Sequence, residues 1–189
     1  MPSDLPTVLA NVNGYLFALG NDTVSIIAYT IGYVYALAIG DFFVKKIVTR
    51  MHEGLGEYRK DAIKGHNRVL GLVEAVLFVT SIQIERPDFI PVWLGLKAVA
   101  GWSHWNRISF THYNDDGTWV TIYGRQSFNI FLAGSGLVIS FSFIGSQLIN
   151  WVRAYNVLPA ITTAIGAAIA AVWLYLILPK PRPRLSPEK

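Results

Sequence analysis

Two ionisable residues stand out inside apolar blocks, where each costs roughly 2.5 to 3.5 kcal/mol at the centre of a membrane helix. Glu74 lies in VLGLVEAVLFVTSI and Lys97 in FIPVWLGLKAVAGW, and Glu85-Arg86-Pro87-Asp88 divides the two blocks. Pro87 and the acids beside it forbid one continuous helix, so the blocks form a tight helical hairpin. With the turn near 86–87, position 74 comes level with about position 99, which leaves Lys97 only about 3 Å of helical rise away. The two charges can therefore meet, and pairing is the cheapest way to keep both in lipid. A structural ion pair is the first expectation. A proton-relay or substrate role for Glu74 and Lys97 is the second, and snorkelling of Lys97 toward a headgroup the third.

The same arithmetic brings His66 close to His104. Two imidazoles on adjacent helices can ligate a b-type haem or a metal. Both residues fall at the edges of their apolar blocks, however, beside Trp102 and Trp105, so they read as interfacial anchors in an aromatic belt. No cofactor and no metal is expected, with b-type haem as the alternative. The chain contains no GxxxxGK[ST], HExxH or GxSxG pattern. With no cysteine it also lacks a thiol nucleophile and thiolate metal ligands. The remaining polar residues of the apolar blocks (Thr80, Ser81, Gln83, Gln126, Asn129, Gln147 and Asn150) suit hydrogen bonding between helices. An enzyme is not the expected class.

The elements that must hold these residues follow from composition. The 189 residues are 52% hydrophobic and 15% charged, with a mean hydropathy of +0.39. Ordinary soluble domains carry about 25% charged residues, so a soluble domain is close to excluded. Apolar blocks at 24–44, 69–84, 89–105, 127–151 and 158–178 predict an all-α integral membrane protein. It would be a five-helix transmembrane bundle forming a single domain over 1–189, with spans two and three the short hairpin.

Thirteen of the sixteen Lys and Arg residues fall in 45–68, 107–125 and 180–189, the loops and tail of one side. The positive-inside rule makes that side cytoplasmic. The expectation is thus a multi-pass protein of the inner, cytoplasmic membrane, with its N-terminus outside and its C-terminus inside. In 106–125, ISFTHY and TWVTIY alternate around Asn114-Asp115-Asp116-Gly117, which predicts a small cytoplasmic β-hairpin. Residues 7–20 form an apolar stretch too short to span, read as an interfacial segment. The tail 179–189, PKPRPRLSPEK, reads as a flexible basic extension.

Basic residues between 45 and 68 extend span one as an amphipathic helix, which would favour anionic headgroups by about 1 kcal/mol per well-placed charge. Nucleic acid is not an expected partner. Ala28, Gly32, Ala36 and Gly40 recur every four residues in span one. Similar small residues occur in span four, and in span five as Ala160, Ala164 and Ala168 with Thr163, Ala167 and Ala171. Such stripes let helix backbones approach closely in lipid. Internal packing is their first reading, and self-association or docking to other membrane subunits the next. The expected function is an accessory or structural subunit of a larger membrane complex. A small oligomeric transporter or channel using the Glu74 and Lys97 polar site is the alternative.

Overall fold

The computed structural model describes residues 12, 14, 20–55, 66–106, 110–113, 119–122 and 124–178, with backbone alone at 66–68, 104–105, 110–113 and 119–122. Most of the 7–20 segment, residues 56–65, the 114–117 turn and the 179–189 tail lie outside the described residues. The chain is predominantly helical. Helix α1 runs from Asn21 to Gly54, α2 is His66–Gln83, α3 is Phe89–Trp105, α4 is Gly124–Arg153 and α5 is Val157–Ile177. Strands β1 (Phe110–Tyr113) and β2 (Trp119–Ile122) pair antiparallel, with Phe110 opposite Ile122 and Tyr113 opposite Trp119.

Unbroken apolar composition favours these helices, because a helix bonds all its backbone groups internally where water is absent. The two prolines within helices, Pro91 of α3 and Pro159 of α5, both sit at the third position, in a first turn whose N–H groups have no intrahelical acceptor. Helices α1, α4 and α5 are 34, 30 and 21 residues long and apolar enough to cross a membrane. The apolar parts of α2 and α3, Val69–Gln83 and Phe89–Ser103, are shorter. Helix α1 continues ten residues past the apolar block that ends at 44, so the basic stretch with Lys45, Lys46 and Arg50 is helical.

Two turns end in the same way. Glu85 (φ 58°) and Tyr155 (φ 57°) adopt the left-handed conformation after α2 and α4. At each, paired bonds close the helix: Arg86 N–H to Ser81 O at 2.7 Å and Glu85 N–H to Ile82 O at 3.1 Å, then Asn156 N–H to Trp151 O at 2.8 Å and Tyr155 N–H to Val152 O at 3.0 Å. These are Schellman caps, the motif that ordinarily takes glycine at the left-handed position.

Helix α4 is the hub. Helix α1 crosses it antiparallel, with Gly32 against Gly145, Gly40 against Phe141 and Val48 against Gly134. A Cβ placed at Gly32 would come within 2.5 Å of Gly145 O, so the two backbones touch. All four residues of the stripe, Ala28, Gly32, Ala36 and Gly40, are buried, and their face lies on α4. A four-residue repeat drifts about 40° per step on a 3.6-residue helix. Residues Tyr35–Gly40 are π-helical, and a π-turn holds more residues than an α-turn. The local unwinding offsets the drift and keeps Gly40 on the face that Gly32 began.

Helix α2 runs parallel to α4, joined by Ser142 Oγ to Ala75 O at 3.4 Å and by Gln83 Nε2 to Ser146 Oγ at 2.7 Å. Helix α5 lies beside α1, where the Tyr35 hydroxyl donates to Ala164 O at 3.2 Å. Phe43 stacks on Phe141 at 5.9 Å within the common core, which also holds Ile47, Val79, Leu148 and Ile149.

Candidate functional site

The hairpin of α2 and α3 brings Glu74 and Lys97 together. Lys97 Nζ lies 2.7 Å from Glu74 Oε1 and 2.9 Å from Oε2, so one ammonium spans both carboxylate oxygens. Trp93 Nε1 donates to Glu74 Oε1 at 3.0 Å. The Glu74 side chain is 3% exposed and that of Lys97 25%. On the α4 side, the Lys97 ammonium stands 5.1 Å from the centre of the Phe131 ring, within reach of a cation–π attraction.

Each partner arrives there for a local reason. Glu74 precedes Ala75, and Phe78 and Val79 on the next turn are fully buried, so it rides on the inward face of α2. Trp93 and Lys97 are four residues apart, which puts them on one face of α3. Three donor contacts converge on one carboxylate. Charge-assisted bonds of this type are about twice as strong as neutral ones, and they satisfy the groups that burial would otherwise penalise. Chemically the arrangement is an ion pair with an indole clamp, its carboxylate sealed and its ammonium one-quarter exposed.

His66 is the first residue of α2 and His104 the last but one of α3, so both stand at the open end of the hairpin. Their side chains lie outside what the structure describes. Among the described residues no group of three or more His, Asp or Glu could hold a metal ion.

The hydroxyls and amides of the apolar blocks work between and along helices. Tyr33 and Thr80 share a hydrogen bond at 2.7 Å between α1 and α2, Gln83 also reaches Ser146 O at 3.0 Å, and Ser81 bonds Phe78 O on its own helix. Ser135 on α4 is a buried hydroxyl without a hydrogen-bond partner among the described residues.

Sequence reasoning passed over two contributors to the site, Trp93 and Phe131, and one carboxylate away from it on α1, Asp41. Trp93 was signalled by its four-residue spacing from Lys97. Phe131 was not, since only tertiary packing brings α4 to that point. Asp41 was visible as a carboxylate inside the 24–44 block; it is half-buried and engaged in an interaction. The chain matches no protein-family model, no curated protein and no solved structure.

Proposed function

We propose that this chain is an accessory or structural subunit of a larger membrane complex, built as a five-span bundle. In this reading α2 and α3 cross as a short pair, and the ribbon of β1 and β2 lies on the cytoplasmic side with the basic loops. The N-terminus is outside the inner membrane and the C-terminus inside, as the distribution of Lys and Arg favours.

The observation that carries the reading is the outward face of α5. This helix buries only Ala160 and Ala171, so the stripes named from sequence, Ala160 to Ala168 and Thr163 to Ala171, turn toward the bundle. Facing away are Thr162, Gly166 and Ala170, again four residues apart and all exposed. Nothing lies within 4 Å of a Cβ built at Gly166. Small residues at this spacing allow another helix to approach closely, which is how helices associate where lipid removes the hydrophobic drive. The stripe of α1 is already covered by α4.

The test is to solubilise the protein gently from its native membrane and determine the mass of the assembly it occupies. The expected result is a complex larger than the 21.0 kDa chain that Gly166→Ile releases as a folded monomer. A monodisperse wild-type monomer would overturn the reading.

A small oligomeric transporter or channel is the second reading, favoured by the one-quarter exposure of Lys97, which leaves the pair open on one side. Flux in proteoliposomes that disappears in Glu74→Gln would install it in place of the first.

A further inference from the structure

Arg50 occupies an unusual place for an arginine at the end of an apolar bundle. It lies on the last turns of α1, between Ile47, which is fully buried, and Met51, which packs against the core. Its guanidinium sits over the ring of Tyr175 on α5, with Cζ 5.5 Å from the ring centre. Its Nε is buried and has no hydrogen-bond partner among the described residues. That Nε is sealed from solvent and out of reach of any ligand; the terminal amino groups of the guanidinium, with no carboxylate partner among the described residues, are the donors left open to one. Glu53, three residues on, forms no ion pair with Arg50 among the described residues. Lys46, one turn earlier on the same face, has its ammonium 5.1 Å from the Phe42 ring centre and likewise no carboxylate partner among the described residues.

We infer that Arg50, with Tyr175 behind it and Lys46 beside it, is a binding site for the phosphate of an anionic glycerophospholipid, seated between the ends of α1 and α5. The inference rests on the membrane reading above and adds a ligand to it. The guanidinium presents a planar fork that matches phosphate oxygens two at a time, and it is more weakly hydrated than an ammonium, which suits a partly buried site. The Tyr175 ring behind it holds the guanidinium in place by a cation–π attraction. Tyrosine near the end of an apolar helix marks the headgroup level of a bilayer. At the same end of α5, Trp173, Leu176 and Ile177 are exposed and offer acyl chains an apolar wall. A ligand with one phosphate and long hydrocarbon chains satisfies both halves of this surface, whereas free phosphate satisfies only the first.

The experiment is native mass spectrometry of the full chain, purified in neutral detergent and titrated with phosphatidylglycerol or phosphatidylcholine. Wild type should retain one phosphatidylglycerol per chain in preference to phosphatidylcholine. Arg50→Gln should weaken that binding about tenfold, the loss of a bidentate charged contact, and Tyr175→Leu should weaken it less. Arg153→Gln is the control, because Arg153 also stands over a tyrosine, Tyr29, at 5.9 Å, but near the opposite end of the bundle. If Arg50→Gln does not fold, Arg50→Lys keeps the charge without the fork and should bind with intermediate affinity. Equal losses in Arg50→Gln and Arg153→Gln would show diffuse charge attraction and overturn the site. Equal occupancy by millimolar inorganic phosphate without lipid would overturn the choice of ligand. A chain that enters nanodiscs but shows no lipid preference removes this site alone, and one that fails to enter removes the membrane reading with it.

Discussion

Burying Glu74 is tolerated because the Lys97 ammonium and the Trp93 indole N–H answer its charge. Removing one member of a buried pair leaves the other uncompensated, at a cost of about 3–5 kcal/mol. Lys97→Ala and Glu74→Ala should therefore each lower the thermal unfolding midpoint in detergent by many degrees. The double variant Glu74→Leu/Lys97→Leu should recover most of that loss, since apolar groups of similar volume often replace such a pair at little cost. A double variant as unstable as the sum of the two singles would show that the residues act independently. Trp93→Phe removes one bond to a charged acceptor and should cost about 1.5–3 kcal/mol in the same measurement. Much of this was legible in the chain: the hairpin arithmetic needed only Pro87 and the rise per residue, and it is the reason Lys97 and not another residue faces Glu74. The part played by Phe131 was not, because its position depends on how α4 tilts against α3.

Helices α1 and α4 meet where neither has a side chain. At Gly32 and Gly145 the opposing carbonyl oxygens lie 2.5 and 2.6 Å from where a Cβ would be. Gly32→Ala therefore forces the helices apart and should cost about 1–3 kcal/mol, the usual penalty of overpacking. Gly166→Ala on the open face of α5 has no such neighbour and should be neutral or stabilising by up to about 1 kcal/mol, since alanine is the better helix former. Comparing the two melting curves checks the crossing directly, and equal effects would contradict it. The left-handed Glu85 makes the opposite kind of site. Glu85→Gly relieves a strain of about 1–2 kcal/mol without touching a contact and should raise the midpoint. The spacing of Ala28, Gly32, Ala36 and Gly40 was plain in the sequence. The π-turn that keeps it on one face was not, because nothing in YALAIG distinguishes it from ordinary helix until α4 is in place.

Across the whole molecule, the charged ends of the helices divide into two groups. Asn21 accepts a hydrogen bond from Tyr155 at 3.2 Å, and Gln83 lies 3.4 Å from Asn150, so the start of α1, the α2–α3 turn and the α4–α5 turn share one end. The basic close of α1 and the start of α4 with Arg125 form the other. The apolar parts of α2 and α3 rise only about 22 Å at 1.5 Å per residue, short of a hydrocarbon core of about 30 Å. In the proposed five-span arrangement the bilayer would have to thin around them or the turn would have to sink. Because the protein has no cysteine, single cysteines can report this cleanly. With an impermeant maleimide, Asp88→Cys and Asn156→Cys should label from the outer face and Gly54→Cys only from the inner. An Asp88→Cys that labels from neither face would place the α2–α3 turn inside the bilayer and reduce the number of complete crossings.

Composition and periodicity alone determined that the chain is helical and suited to a membrane, and where the long apolar helices lie, because a backbone without water must bond to itself. They also marked Glu74 and Lys97, since a charge in an apolar block is conspicuous without any fold. Only the tertiary structure decided which surfaces are used up and which remain. One small-residue stripe looks much like another in sequence, yet α4 covers that of α1 while Thr162, Gly166 and Ala170 of α5 stay open. The orphaned Nε of Arg50 belongs to the same class of fact. Whether a donor has an acceptor depends on what packs against it, and in this chain that is set by helices more than a hundred residues apart.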